Sequence, residues 1–431
     1  MPPAVRTRRA TAVALPDGPL PAPGRRVPLS PFDAYWVPLP PVRRVFLFTP
    51  PVPFPDVVRA LKSSLATVLP TFHLFAGELA YDPDSRSIAL VVREDGAGVA
   101  FVDAETEMEL ARLVEEYDVD ALGQLVPGIH REELPAPVMA VQVTEFVAGG
   151  IAVGVALHHT AADGRGLWRF IQTWAAAAAG SPVSQLGTAL HDRRLVHFQG
   201  DEDLANFFLK HVAPELPRIA PKQDALPAGQ RPSLSRRTFT LPSSAVRRLK
   251  QQLATAPSTF AAVVAHGWVS IARAKGFTDD SPVYAFFLAD LRAHMTPPVP
   301  DAYIGNCLAV CSVVLSGAEL TGSDGPTRAC SAIKDAVAEV KREPLADPRG
   351  WMSKFTEAPP GRGIVMAGSP WFPAYGIDFG FGKPARVELA SMNHDGEMVL
   401  VAGKEPGSVQ ASVALSADKM PAFCEVFVVE S

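Results

Sequence analysis

Two kinds of apolar periodicity alternate along this chain, and their alternation limits the folds that it can adopt. Apolar side chains recur every three or four positions in FPDVVRALKSSLATVLP (residues 54–70), which predicts a helix. The runs SIALVV, VMAVQVTEFV and GGIAVGVALHH are short and apolar, as expected of strands. A helix is expected after the third run, in GLWRFIQTWAAAAAG, ending at Gly180. With 48% hydrophobic and 20% charged residues, the pattern predicts a packed protein of the mixed α/β class.

The alternation continues in the second half of the chain. LPSSAVRRLKQQL predicts a helix capped by Ser243. PSTFAAVVAHGWVSIARAKG is apolar nearly all round and predicts a buried helix. RACSAIKDAVAEVKRE and ADKMPAFCEVFV are also expected to be helices, and the segments VYAFFLADLR, NCLAVCSVVLS, ARVELASM, GEMVLVAG and SVQASVALS to be strands.

Length and a weak stretch of pattern predict two domains. A chain of 431 residues is too long for one ordinary core. Between residues 181 and 237 the periodicity gives way to prolines, glycines and charges, as in a segment that crosses between two halves. We therefore expect an N-terminal domain at 1–180, a crossover linker at 181–237 and a C-terminal domain at 238–431.

Composition excludes several classes of function. The net charge of −5 is spread along the chain without a long basic block, which argues against a nucleic-acid partner. The four cysteines form no CxxC pair, which favours buried thiols over a disulfide or metal framework. VRTRRATAVAL near the start favours a first strand over a transit peptide. No run approaches the ~18 apolar residues of a membrane span. We expect a cytoplasmic protein without a membrane partner.

The third strand run ends in a titratable motif, HHTAADG. Because side chains alternate along a strand, His158 and His159 should point in opposite directions. His159 and Asp163 have H-x-x-x-D spacing, and Gly164 and Gly166 permit a tight turn. A neutral imidazole is well suited to accept a proton at neutral pH. The pattern is short, however, and two structural histidines would explain it equally well. The chain lacks the G-x-S-x-G motif of hydrolases and the H-E-x-x-H motif of zinc enzymes.

A second motif, AYGIDFGFGKP, follows about 215 residues later and is expected to form a tight loop. HHTAADG and DFGFG together resemble the HxxxD and DFGWG motifs of the plant BAHD acyl-CoA-dependent acyltransferases. Further segments follow that family's order over nearly the whole chain: PLSPFDAYWVPLPPVRRVFLF, LKSSLATVLPTFHLFAGEL, STFAAVVAHGWV, ADLRAHMTPPVPDAYIGNC and SPWFPAYGIDFGFGKPARVE. YIGNC is similar to the YFGNC of the anthocyanin, flavonoid and phenolic-glucoside malonyltransferases, with Ile304 in place of Phe.

The resemblance implies a fold and a reaction. The fold would be two chloramphenicol-acetyltransferase-like domains, each a mixed β-sheet with flanking helices, joined by a long crossover loop. His159 would be the general base, midway along a solvent channel between the domains. Acyl-CoA would be the co-substrate of a monomeric enzyme that needs no bound cofactor or metal. Asp163 would point away from the substrate and pair with Arg292, bracing the loop.

The resemblance also assigns roles outside the HxxxD motif. The CoA channel would be lined by Ser258, Thr259, Asp378, Gly380, Phe381 and Gly382. Phe381 replaces the family's Trp, which removes one hydrogen-bond donor and predicts lower stability or CoA affinity. Ser369 would line the reaction centre, and Phe32 and Trp36 the acceptor pocket. Capping by Ser258 and ordinary core packing of the other side chains are the alternatives.

The acyl donor stays open at this point. A malonyl group needs a cation for its free carboxylate, and Arg165 is a candidate unless it is simply exposed to solvent. An aromatic acyl group needs an apolar slot instead. The acceptor would be a hydroxyl of a phenolic or flavonoid glycoside. The alternatives are a hydroxycinnamoyl transferase acting on an amine or another alcohol, and a non-catalytic relative that binds acyl-CoA.

Overall fold

The structure is a computed structural model that describes residues 4–21, 24–50, 52–220, 233–253, 256–392 and 394–428. The described residues divide into two units. The first comprises those within Met1–Gln223, Pro297–Cys307 and Tyr375–Ser391, and the second those within Asp224–Thr296, Leu308–Ala374 and Met392–Ser431. The first unit thus includes two segments from the second half of the chain, whereas the sequence predicts contiguous domains.

The strands of the described residues, in chain order, are β1 (Arg6–Ala14), β2 (Arg26–Pro28), β3 (Val42–Phe48), β4 (Glu78–Asp82), β5 (Ser87–Val91), β6 (Gly98–Thr106), β7 (Ala136–Pro137), β8 (Met139–Phe146), β9 (Ile151–Leu157), β10 (Leu234–Leu241), β11 (Pro282–Asp290), β12 (Leu308–Ser316), β13 (Gly363–Gly368), β14 (Arg386–Leu389), β15 (Glu397–Ala402) and β16 (Val409–Ser416).

The α-helices of the same residues are α1 (Pro31–Ala34), α2 (Phe54–Val68), α3 (Leu110–Glu115), α4 (Val119–Gln124), α5 (Gly164–Ala178), α6 (Asp201–Val212), α7 (Ser243–Gln252), α8 (Thr259–Lys275), α9 (Gly317–Thr321), α10 (Gly325–Arg342), α11 (Trp351–Glu357) and α12 (Met420–Phe427). The mixed α/β class predicted from the sequence is confirmed.

The first unit is built on a mixed sheet with the described strand order β1-β6-β8-β9-β3-β14. Only β6 and β8 run parallel among these neighbours. The strand β9 is buried along its whole length, which explains why its sequence is a continuous apolar run. Helix α5 covers this sheet, with Trp168 packing edge-on against Phe46. A smaller described sheet, β2-β5-β4-β7, belongs to the same unit.

The second unit has its own mixed sheet, with the described order β10-β16-β15-β13-β11-β12. Strand β13 runs parallel to both β11 and β15. Helix α8 packs in the core of this unit, where Trp268 and Ile271 are fully buried. The nearly uniform apolar character of α8 therefore reflects burial on most of its surface.

Most predicted elements are confirmed, with local exceptions. Helix α7 begins at Ser243 but Pro242 occupies the N-cap position, so Ser243 is not the capping residue. The predicted linker 181–237 contains helix α6, which the sequence analysis missed although Leu204, Phe208 and Leu209 form a buried apolar face on it. Residues 221–232 of that linker lie outside the described residues.

The DFGFG segment belongs to the first unit, although it lies near the end of the chain. It precedes β14, which pairs antiparallel with β3 in the sheet of the first unit. This pairing joins residues more than 300 positions apart in the chain, and strand periodicity carries no information about such a partner. The segment therefore contributes to the first unit, although the sequence analysis assigns it to the C-terminal domain.

The thiols and the helices are both subjects of predictions from composition. Cys307, Cys311, Cys330 and Cys424 are free thiols, and the first three are buried. Burial raises the pKa of the Cys311 thiol to about 12, so this side chain stays protonated. None of the helices in the described parts of the chain has the length and apolar character needed to cross a bilayer.

Candidate active site

The candidate site is the turn that joins β9 to α5 in the first unit. The amide of His158 still donates to Val138 O, at 2.8 Å, and the chain then leaves the sheet. Asp163 ends the turn as the N-cap of α5, and its Oδ1 accepts from the Gly166 amide at 3.0 Å. The polar side chains of the motif therefore stand where a buried strand gives way to a helix N-terminus.

His158 faces the interior and has a structural role, as the sequence analysis expects. It is fully buried, and its Nδ1 lies 2.9 Å from Thr160 Oγ1 and 3.4 Å from the Thr160 amide that donates to it. Burial, with smaller contributions from His159 and Arg131, lowers the pKa of His158 to about 3. This imidazole is therefore neutral at physiological pH.

His159 differs from its neighbour because it is only half-buried. Burial lowers the pKa of His159 below its ordinary value, and the charges of Asp163 and Asp33 and the neighbouring side chain of Asn306 oppose this effect. The indole of Trp36 stacks on the imidazole with ring centroids 4.4 Å apart and planes 22° apart. The imidazole is thus neutral at pH 7 and stacked on Trp36, in a residue that is partly exposed.

Asp163 is held inside the first unit and is only 1% exposed. Besides capping α5, its carboxylate accepts from the amide of Cys307 at 3.4 Å. The YIGNC segment also approaches the start of α5 closely, because a Cβ on Gly166 would lie 2.1 Å from Ile304 O. These contacts explain why the motif requires a carboxylate and a nearby glycine at the start of the helix.

The DFGFG loop is a compact element of the first unit. Asp378 Oδ1 accepts from the amides of Gly380 and Gly382, at 2.8 and 3.0 Å. Both glycines have a positive φ, +91° and +104°, which other residues rarely adopt. Phe381 is 7% exposed and packs edge-on against Phe48, with centroids 5.1 Å apart. The geometry of this loop is set by its own carboxylate and by aromatic packing.

The remaining predicted residues of the first unit occupy different environments. Phe32 is 2% exposed and packs against Phe198, with ring centroids 6.1 Å apart, so it belongs to the core. Trp36, in contrast to Phe32, stacks on the ring of His159. Arg165 is exposed and pairs with Asp301 at 3.1 Å, in line with the simpler alternative for this residue.

The predicted residues of the second unit lie at the ends of its elements. Ser258 is the N-cap of α8 and accepts from the Ala261 amide at 3.1 Å, which confirms capping; Thr259 is the first residue of that helix. Ser369 follows β13 and its amide donates to Leu400 O at 2.9 Å. Arg292 is 1% exposed and pairs with Asp290 at 3.2 Å.

The structure also brings polar residues to the motif that the sequence analysis missed. Asp33, Arg193 and Asn306 are buried around the turn between β9 and α5. Asn306 is part of the quoted YIGNC segment and Asp33 of SPFDAYW, so the same segments that carry the resemblance contained them. Arg193 lies in a weakly patterned stretch, where no local signal distinguishes it from surface arginines.

Comparisons with known proteins show the family of the chain and the similarity of its fold to solved structures. A model of the Transferase family matches residues 5–428. Phenolic glucoside malonyltransferase 1 of Arabidopsis thaliana is 28% identical over 427 residues, which cover 91% of this chain and 90% of the relative. A hydroxycinnamoyltransferase of Narcissus pseudonarcissus is 27% identical, with coverages of 85% and 86%. The crystal structure of vinorine synthase is 20% identical, has a TM-score of 0.74, and covers 97% of this chain and 96% of its own.

Proposed function

Because this chain belongs to the BAHD family of acyl-CoA-dependent acyltransferases, we propose that it transfers a malonyl or aromatic acyl group from CoA to a hydroxyl of a phenolic or flavonoid glycoside. The proposed general base is His159. The observation that carries this proposal is the contrast between two adjacent histidines. His158 is fully buried and bonded to Thr160, whereas the residue His159 keeps part of its surface accessible.

The proposed proton acceptor is Nε2 of His159. The Nδ1 atom of this ring is buried, so we assign the proton-accepting role to the other ring nitrogen. The lowered pKa of His159, caused mainly by burial, keeps the ring neutral and able to accept a proton at neutral pH. A positioned base of this kind contributes roughly 10²–10⁴-fold to the rate of a transfer reaction.

The reaction then needs no covalent intermediate on the protein. Nε2 takes the proton of the acceptor hydroxyl, and the acceptor oxygen forms a bond to the thioester carbonyl carbon. The tetrahedral oxyanion collapses, the C–S bond breaks, and the CoA sulfur takes the proton back from the imidazolium. The products are an O-acyl ester and free CoA, with all protons accounted for.

Two neighbours support the imidazole in this scheme. Trp36 presents its ring face to the imidazole, and an indole face stabilises a cation by roughly 0.5–1 kcal/mol or more when desolvated. Asp163 supports the start of α5 from a buried position and does not act as a second base. The pair of Asp163 with Arg292 remains a prediction. So do the CoA-channel roles of Ser258, Thr259 and Asp378–Gly382, and the reaction-centre role of Ser369.

The identities of the acyl donor and the acceptor are the most specific part of the proposal. The similar proteins include a phenolic glucoside malonyltransferase and a hydroxycinnamoyltransferase, by their names. Arg165 is the candidate cation for a malonyl carboxylate, and it would have to leave Asp301 to serve that role. The second candidate function is therefore transfer of a hydroxycinnamoyl group to an amine or another alcohol.

A CoA-release assay tests the proposal. The purified protein is assayed with malonyl-CoA and p-coumaroyl-CoA against a panel of phenolic glucosides, amines and simple alcohols. We expect turnover with at least one glucoside, and its loss in His159→Ala without loss of CoA binding by calorimetry. His130→Ala, which truncates an exposed histidine of the same unit, is the matched control and should keep full activity. CoA binding without turnover of any pair would support a non-catalytic relative instead.

A further inference from the structure

A buried carboxylate lies at the centre of a polar cluster next to the HHTAADG turn. Asp33 has no solvent exposure. Its oxygens accept from the Ser30 amide at 3.0 Å, from Ser30 Oγ at 2.6 Å and from Asn306 Nδ2 at 2.9 Å. Burial of an unpaired charge is costly, so this side chain depends on the donors around it.

Arg193 supplies the opposite charge. Its side chain is 5% exposed, and Nε donates to Asp33 at 3.1 Å. Burial is the largest influence on the pKa of Arg193 and lowers it, but Asp33, Tyr303 and Asp163 together more than offset this effect, so the pKa is raised and the group remains charged. The guanidinium also donates from Nη2 to Ala161 O at 2.8 Å and from Nη1 to His191 O at 3.1 Å. The ion pair is thereby attached to the turn that carries His159.

Asn306 makes the second attachment. Its Nδ2 donates both to Asp33 and to the backbone oxygen of His159, each at 2.9 Å. The next amide, that of Cys307, donates to the carboxylate of Asp163. Two points of the turn are therefore held by the cluster, the backbone oxygens of His159 and Ala161, and the side chain of Asp163 is held by the adjacent amide of Cys307.

The stability of the fold is a poor explanation for such a cluster. A buried ion pair often contributes no more than well-packed apolar side chains of the same volume, because desolvation offsets the attraction. The turn 158–163 lies outside the regular strand and helix ladders that would otherwise fix its backbone. What the cluster supplies, and apolar side chains would not, is directed donors to specific oxygens of this turn.

We propose that Asp33, Arg193 and Asn306 are positioning residues that hold the backbone of the His159 turn in the orientation required for proton transfer. This inference rests on the proposed role of His159 as general base. Positional errors near 1 Å cost about 10²-fold in rate, so a cluster that holds two backbone oxygens of a six-residue turn has a direct effect on the reaction. The residues act through His159 and do not themselves touch substrate.

The test compares Asn306→Ala with a matched control, Gln142→Ala. Gln142 is a buried amide of the same unit, on β8, whose Nε2 donates to Gln124 O at 2.8 Å. Both variants lose a buried carboxamide, so both should melt at a lower temperature. We expect Asn306→Ala to lower kcat by about 10- to 100-fold, with the KM for acyl-CoA changed less than about threefold. Gln142→Ala should keep kcat within about twofold of the parent protein.

A second measurement does not depend on turnover. The ring titration of His159 is followed by NMR in histidine-labelled protein, with the signal assigned by its absence in His159→Ala. The side chain of Asn306, which is bonded to the backbone oxygen of His159, opposes the lowering of the pKa of His159, so Asn306→Ala should shift the midpoint further down. Gln142→Ala should leave it in place. Arg193→Lys keeps the charge beside Asp33 but lacks the forked donors, and we expect an intermediate loss of kcat.

Two results would overturn the inference, and they can be told apart. If Asn306→Ala matches Gln142→Ala in kcat and in the His159 midpoint, the cluster is only structural, and the proposed base is unaffected. If His159→Ala itself retains turnover, the proposed function fails and this inference fails with it, whatever the behaviour of Asn306→Ala.

Discussion

The indole of Trp36 lies face to face with the imidazole of His159, with ring centroids 4.4 Å apart. A histidine that accepts a proton becomes a cation, and an aromatic face attracts a cation. The contact therefore favours the protonated ring that forms during the proposed transfer. It also places the SPFDAYW segment beside the proposed base.

Replacement of Trp36 by Leu should remove this stabilisation. The base must be neutral to work, so activity is lost as the pH falls through the pKa of His159, which burial places below 6.5. We expect Trp36→Leu to move the acidic limb of the kcat/KM profile down by about half a pH unit and to lower kcat several-fold. Trp36→Phe keeps an aromatic face and should show a smaller shift. An unchanged limb in Trp36→Leu would show that the ring contact has no electrostatic effect.

His158 should make the stability of the protein sensitive to acid. Its pKa is about 3 in the folded state and near 6.5 in the unfolded chain, so the unfolded state binds more protons between these values. Its contribution is fully present above pH 6.5 and is lost as the pH falls toward 3. We expect His158→Asn, which keeps an acceptor for Thr160, to reduce the pH dependence of the free energy of unfolding by up to about 1.4 kcal/mol per pH unit.

Urea unfolding at pH 7.5, 6.0 and 5.0 measures this difference. The other buried histidines, His73 and His191, also have lowered pKa values through burial and are the same in both proteins, so their contributions cancel. Parallel curves for the parent protein and His158→Asn would contradict the prediction.

The predicted pair of Asp163 and Arg292 can be tested by a double-mutant cycle. Loss of one partner of a buried pair costs roughly 3–5 kcal/mol, because the other charge is left buried. We expect Asp163→Asn and Arg292→Gln to show a coupling energy of about 1–3 kcal/mol in urea unfolding. Asn can still cap α5, so the cycle isolates the charge.

The control cycle uses the ion pair observed within the second unit, Arg292 with Asp290. The Asp290 side chain is 33% exposed, so its coupling to Arg292 should be less than about 1 kcal/mol. Strictly additive effects of Asp163→Asn and Arg292→Gln would exclude the predicted pair.

The glycines of the DFGFG loop should differ in their tolerance of alanine. Both have a positive φ, which costs an alanine about 1 kcal/mol. At Gly380 the new Cβ would also lie 3.1 Å from Ala179 Cα and 3.2 Å from Ala178 O, whereas at Gly382 it would meet no atom within 4 Å. We expect Gly382→Ala to cost about 1 kcal/mol and Gly380→Ala about 2–3 kcal/mol of unfolding free energy. Equal losses would mean that the backbone at Ala178 and Ala179 yields without cost.

Much of the secondary structure could be predicted because its causes are local. The helix α2 has a stripe of apolar residues, β9 a continuous apolar run, and α5 a motif carboxylate at its N-cap. The failure at Ser243 is local too: Pro242 takes the N-cap position, and the serine is the first residue of the helix. Helix α6 was missed although its cause is local as well, since an acidic first turn precedes the apolar positions Leu204, Phe208 and Leu209.

The sequence alone determined the family, the pair of histidines and the turn that ends β9, since motifs of adjacent residues carry that information. Tertiary structure alone decided which of the two histidines is partly exposed and which residues hold the turn that carries it. Asp33, Arg193 and Asn306 come from segments more than 100 residues apart, and no periodicity links them. The same holds for β14 beside β3. Local patterns record which face of a segment is apolar, whereas the contact between two distant segments depends on the packing of the whole unit.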